Sequence, residues 1–140
     1  GKLSIRIDTH NSRYIEGLNL EKSYETLELH NSNTIKKYRN EEELKWLVGA
    51  GVSAAGIIYI RKILDKAGWS KVRIIASSGF TLSKCKLFSD VNVPVDVIGT
   101  GSYIPENWNE TYTTADIIKY GNKELVKKGR EFLIKGNNKK

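Results

Sequence analysis

Leu3-Ser4-Ile5-Arg6-Ile7-Asp8 alternates apolar and polar side chains, the period of two that predicts a strand, and Thr9-His10-Asn11-Ser12 ends it. Alternation sets Arg6 and Asp8 on one side of that strand, opposite Ile5 and Ile7. From Arg13 to Gly51 the pattern turns polar and mostly helical, over Leu20 to Leu29 and again after Asn40. There Asn40 caps a helix start and Glu41, Glu42 and Glu43 complement its first N–H groups. The clearest helical register is Ser53 to Ala67, with Ile57, Ile60, Leu64 and Ala67 on one face and Gly68 as its stop.

An apolar strand follows from Val72 to Ala76 and ends in Ser77-Ser78-Gly79. Thr81 then caps a helix with Leu82, Cys85 and Phe88 inward, closing at Val91-Asn92. Val93-Pro94 opens a third strand through Val95-Asp96-Val97-Ile98, which breaks into Gly99-Thr100-Gly101-Ser102. The order strand, helical block, helix, strand, helix, strand is α/β grammar, and the apolar strands imply a covered parallel sheet. It fits the tail of either a wound sheet or a (β/α) barrel, with residues 13–51 an insertion on the first connection. After Gly101 the stretch Tyr103 to Thr114 is irregular apart from one expected helical turn. Ala115 to Tyr120 and Glu131 to Ile134 are expected as an antiparallel pair. The predicted organisation is one domain over 1–135 and a disordered tail at 136–140.

The ends of the strands carry the candidate chemistry. Gly-Thr-Gly-Ser after a buried strand exposes backbone N–H groups to an anion, and the Ser77-Ser78-Gly79 loop ends a neighbouring unit the same way. The alternative for each alone is an ordinary strand-to-turn connection; two such ends favour a phosphate site. Arg6 and Asp8 form either a structural ion pair or, at the mouth of a barrel, an anion-holding Arg and a hydroxyl-binding Asp.

Composition narrows the partners. The chain has 23 Lys and Arg against 16 Asp and Glu, a formal charge of +7, which favours anionic ligands. Many of the lysines cluster late, from Lys119 to Lys140, rather than being regularly interleaved with aromatics, so a solvated basic tail is favoured over a nucleic-acid surface. The single Cys85 excludes an internal disulfide and suits a reducing compartment. No run approaches the roughly 20 apolar residues of a membrane span, and no signal-peptide pattern opens the chain, so a cytoplasmic protein without membrane contact is expected. The absence of Met and the early first strand hint at a carboxyl-terminal piece of a longer polypeptide. Neither His10 nor His30 has a partner at a metal-ligand interval.

Taken together, Ile5-Arg6-Ile7-Asp8-Thr9, Ile74-Ile75-Ala76-Ser77-Ser78-Gly79-Phe80 and Pro94-Val95-Asp96-Val97-Ile98-Gly99-Thr100-Gly101-Ser102 resemble the carboxyl-terminal half of nicotinate phosphoribosyltransferases. The resemblance covers most of Lys2 to Ile134. It implies the carboxyl-terminal part of a (β/α) TIM-like barrel of the type II, quinolinate phosphoribosyltransferase-like kind. Such enzymes join nicotinate and phosphoribosyl pyrophosphate to give nicotinate mononucleotide, usually with ATP and Mg²⁺, as homodimers with shared sites.

By position the resemblance implies that Arg6 contacts phosphate or the ring and that Asp8 holds the ribose hydroxyls. Ser77, Ser78 and Gly79 would flank the ribose and 5′-phosphate, and Gly99, Thr100 and Gly101 would hold that phosphate through backbone N–H groups. No catalytic residue is assigned, because the family's phosphorylated histidine lies upstream and neither His10 nor His30 sits in a matching motif. The expectation is therefore an inactive portion of the enzyme that supplies the ribose and 5′-phosphate site. The competing classes are a noncatalytic phosphate-binding or dimerising half-barrel module and a quinolinate phosphoribosyltransferase, which would need further basic residues.

Overall fold

The computed structural model describes residues 2–37, 39–101 and 116–135. The chain divides into two compact units, Gly1–Asn107 and Trp108–Lys140. The larger one is mixed α/β around a small parallel sheet of β1 (Ser4–Ile7), β2 (Arg73–Ala76) and β3 (Val97–Ile98), in that order across the sheet. Between β1 and β2 come α1 (Leu20–His30), α2 (Asn33–Lys36), α3 (Glu41–Val48) and α4 (Ala54–Lys66). Between β2 and β3 comes α5 (Leu82–Asp90).

Register explains which face is buried. Ile5 lies opposite Ile74, Ile7 opposite Ala76, and Ala76 opposite Ile98, and all five belong to or pack against the apolar cluster formed with the helices. The other face presents Arg6, Ile75 and Val97 in one row. Arg6 is exposed, Ile75 half-buried and Val97 39% exposed, so among the described residues that face is uncovered. Strands added in sequence order by right-handed crossovers put their helices on the same side, which is the burial seen here. A sheet wound in one direction follows; three strands do not close a barrel.

The block at 13–51 contributes to the core as well as filling a connection. Leu18, Leu27, Leu47 and Val48 from it are buried in the cluster with Ile57, Ile58, Phe80 and Phe88. Asn19 caps α1 by accepting from the Lys22 N–H at 2.9 Å. Asn40 caps α3 as expected, accepting from the Glu43 N–H at 2.8 Å. The first turns of α4 are buried all round at Ala54, Ala55, Gly56, Ile57 and Ile58. Ser53 caps that helix by accepting from the Gly56 N–H at 3.2 Å.

The expected inner face of α4 holds for Ile57 and, partly, for Ile60 and Leu64, but Ala67 is exposed, because the helix runs out of the core before its end. Arg61 fastens that end. Its guanidinium donates to Asp65 Oδ1 at 2.8 Å, to the Val72 carbonyl at 2.7 Å and to the Trp69 carbonyl at 2.8 Å. The turn from α4 into β2 is thereby held by one side chain.

Two further registers differ from expectation. In α5 the inward residues are Lys84, Leu87 and Phe88, while Leu82 is exposed and Cys85 half-buried. Phe80, fully buried just before the Thr81 cap, meets Phe88 edge-on with centroids 5.0 Å apart, and that pair sets the rotation of the helix. β3 is two residues long rather than beginning at Val93, because Asp96 enters the ladder with its side chain: Asp96 Oδ2 accepts the Ile74 N–H at 2.8 Å while the Asp96 N–H donates to the Ile74 carbonyl at 2.9 Å.

In the smaller unit β4 (Lys119–Tyr120) pairs antiparallel with β5 (Lys123–Glu124). The strand expected at 131–134 is instead part of α6 (Phe132–Lys135). The two-residue turn Gly121-Asn122, with Gly121 at φ +58°, brings the chain straight back on itself and fixes the nearer partner. Arg130 pairs with Asp116. Ser102 to Ala115, including the turn expected in 103–114, and the tail at 136–140 lie outside the described residues.

Candidate functional site

The parallel register brings the carboxyl ends of β1, β2 and β3 side by side. The Ser77 N–H donates to the Ile7 carbonyl at 2.9 Å and the Gly99 N–H to the Ala76 carbonyl at 2.8 Å, so each strand end is hydrogen-bonded to the one before it. Arg6 Nη2 and Asp8 Oδ2 lie 3.5 Å apart on the uncovered side, with side chains 65% and 38% exposed. That exposure leaves both groups hydrated, and an ion pair of this kind is worth about 0 to 1 kcal/mol. It orients the two exposed groups toward each other more than it stabilises the fold.

Ser77 Oγ donates back to the Ile7 carbonyl at 3.4 Å. Ser78 and Gly79 adopt left-handed backbone, φ +83° and +65°, and both are exposed. A non-glycine residue held at positive φ costs on the order of 1 kcal/mol, and here it turns the loop sharply away from the sheet. Gly99 is a position of close approach, since a Cβ there would lie 3.3 Å from the Ser77 Cβ. Any larger side chain would push the β2 and β3 loops apart. At Gly101 nothing lies within 4 Å of an added Cβ, so the space a side chain would take there is open. Thr100 between them is half-buried.

The expected residues thus fall into three places. Arg6 and Asp8 stand on the uncovered side of the sheet, and Ser77 and Gly99 meet at the tops of β2 and β3. Ser78 and Gly79 turn to line a cavity of about 1030 Å³ whose other walls include Thr9, Tyr14, Trp46 and Lys84. Neither Arg6, Asp8 nor Gly99 to Gly101 lines it.

Lys84 was not expected as a site residue. It is 5% exposed, its Nζ sits 4.4 Å from the Phe80 ring centroid, and it donates to the Ser78 carbonyl at 3.4 Å. Burial lowers its pKa from 10.5 to about 8, with the neighbouring Cys85 opposing that shift. Asp96, within the third motif, is occupied by the β2 ladder rather than by a ligand. No local sequence pattern marks either residue, because both roles arise from contacts between separate elements.

The histidines are engaged elsewhere. His10 Nδ1 is 2.8 Å from Ser12 Oγ, and His30 Nε2 lies 3.2 Å from the carbonyls of Val91 and Asn92. Among the described residues no cluster of three His, Cys, Asp or Glu side chains could hold a metal ion, and no helix is long and apolar enough to cross a membrane. No family model, curated protein or solved structure matches this chain.

Proposed function

We propose that the chain is the ribose- and 5′-phosphate-binding portion of a nicotinate phosphoribosyltransferase, the carboxyl-terminal part of a type II phosphoribosyltransferase barrel. The observation that carries the reading is the adjacency, at the ends of three parallel strands wound in one direction, of Arg6 with Asp8, of Ser77 to Gly79, and of Gly99 to Gly101. Ligand sites of parallel α/β sheets gather at those ends. The three groups supply what a phosphoribosyl ligand needs: a cation, a carboxylate for vicinal hydroxyls, and open backbone N–H groups beside glycine.

The chemistry asks for little else from this portion. Glycosyl transfer from phosphoribosyl pyrophosphate builds cationic character at the anomeric carbon and charge on the departing pyrophosphate. Catalysis then rests on positioning and charge stabilisation rather than on a nucleophile. In this reading Asp8 orients the ribose through its 2′- and 3′-hydroxyls, Arg6 neutralises pyrophosphate, and the Thr100 and Gly101 N–H groups grip the 5′-phosphate, whereas the Gly99 N–H, expected to share that grip, is bonded to the Ala76 carbonyl.

Mg²⁺ takes most of its ligands from phosphates and water and needs only one or two carboxylates. Asp8 is the carboxylate that the described strand ends offer it. ATP use rests on the resemblance alone, since both histidines of this chain are bound to other partners. The reading includes a homodimer that shares its sites, and a cytoplasmic setting.

Calorimetric titration of the 140-residue chain with phosphoribosyl pyrophosphate tests the reading. Binding is expected, with no nicotinate mononucleotide formed when nicotinate is added. Gly101→Asp has room for its side chain, so its carboxylate acts through charge repulsion, and a loss of affinity of about tenfold or more is expected. An unchanged affinity in that variant would remove the phosphate assignment. A second reading, a noncatalytic dimerising half-barrel, is supported by the uncovered sheet face and predicts self-association without phosphoribosyl pyrophosphate binding.

A further inference from the structure

The cavity beside the strand ends has one buried cationic side chain and no counter-ion for it. Lys84 reaches inward from α5, its ammonium stacked 4.4 Å over Phe80 and 5.7 Å from Phe88. Among the described residues its hydrogen-bond acceptor is the Ser78 carbonyl at a long 3.4 Å, and none of their carboxylates forms a salt bridge with it. The charges that border the space are Glu41, Glu42 and Lys45 of α3, all exposed. Tyr14, Trp46, Val48 and Val52 give the remaining wall apolar surface, with Thr9, Asn11 and Ser78 as polar points in it. A lysine kept from water without a carboxylate is driven toward its neutral, nucleophilic form.

We propose that this cavity is a covalent carbonyl-binding site, in which the Lys84 amine condenses with an aldehyde attached to an apolar or aromatic body. The neutral amine attacks the carbonyl carbon, forming the C–N bond while the carbonyl oxygen takes up a proton. The resulting carbinolamine expels that oxygen as water and leaves an imine on Nζ. One amine and one aldehyde give one imine and one water, with no oxidant or reductant. The iminium formed on protonation inherits the place of the ammonium over Phe80, where the ring face favours positive charge. The aldehyde's body lies along Tyr14 and Trp46, and about 1030 Å³ accommodates a ligand the size of a substituted aromatic ring.

Desolvation lowers the Lys84 pKa to about 8 and the Cys85 thiol partly offsets this. The phenols of Tyr14 and Tyr24 and the exposed Glu41, Glu42 and Lys45 side chains also border the cavity. The proposal does not depend on the phosphoribosyl reading, because Arg6, Asp8 and Gly99 to Gly101 do not line this cavity.

The test uses the full chain, salicylaldehyde at limiting amount and cyanoborohydride to reduce any imine, followed by peptide mapping. Label on Lys84 is expected to exceed that on every other lysine by about tenfold, since lowering the pKa from 10.5 to about 8 raises the neutral fraction roughly three-hundredfold near neutral pH and burial offsets part of that gain. Its rate is expected to climb with pH and level off above about 8, while surface lysines keep climbing. Lys84→Arg, which keeps the charge but cannot form a stable imine, should lose the dominant labelled peptide without redistribution. Label spread evenly over the lysines overturns the proposal. So does protection of Lys84 by benzoate equal to that by salicylaldehyde analogues, since the cavity would then bind a simple anion.

Discussion

At the scale of single residues, Lys84 is also the position where charge and stability are most directly linked. Its pKa falls from 10.5 in the unfolded chain to about 8 in the native one. Between those values the unfolded state holds more protons, so stability rises with pH across that window. Below about pH 8 the native fold carries a buried ammonium at full cost, and above 10.5 no further gain accrues. Lys84→Met, which keeps the stem packed between Phe80 and Phe88, should stabilise the protein near neutral pH by on the order of 2 kcal/mol. It should also flatten the dependence on pH, as read by urea unfolding across the window. The Lys at this position could not be assigned from sequence, where Leu82, Cys85 and Phe88 formed the more apolar stripe. The buried edge-on contact of Phe80 with Phe88 decides the rotation instead, and that contact pairs a residue outside the helix with one inside it.

Elements were readable where their signals were local. Asn40 before three glutamates and Thr81 after a glycine loop each marked a helix start, and each side chain accepts the expected N–H; Ser53, read from sequence as part of the helical register, caps α4 in the same way. Asn40→Ala should cost about 1 kcal/mol, seen as a lowered unfolding midpoint with unchanged m-value. Where a signal depended on another element it failed. The end of α4 looked like an apolar face but is fastened by Arg61, whose three hydrogen bonds tie the helix to the turn before β2. Arg61→Lys keeps the charge and loses the fork, so a destabilisation of about 2 kcal/mol is expected, since the Trp69 and Val72 carbonyls lose charged donors. A variant as stable as the parent would mean that the turn holds itself.

For the larger unit as a whole, the parallel α/β order was visible as the succession of apolar runs and glycine breaks, and so were the three strand ends that gather the candidate site. The direction of winding was not, because it depends on crossover handedness and on which face the helices cover. One consequence is the row Arg6, Ile75 and Val97 open to solvent beside strand edges on β1 and β3. Open edges and apolar rows invite pairing with another sheet. Sedimentation is expected to show concentration-dependent association, reduced by Val97→Lys, which charges the row without touching the helix-covered face. A strictly monomeric chain over the accessible range would argue against an incomplete barrel.

The carboxylate that Asp96 places in the β2 ladder gives the third loop a stability of its own. Because this short strand is tied at its start by one side chain, Gly99 to Gly101 can detach from the sheet without unravelling the helical core. Hydrogen exchange should then report the Gly99 amide opening at much lower free energy than the Ile57 or Phe88 amides. Asp96→Ala should widen that gap while leaving the slowest-exchanging amides nearly unchanged. In the proposed phosphoribosyl reading, the grip on the phosphate is then tuned by breathing of one loop, independently of whether the protein stays folded.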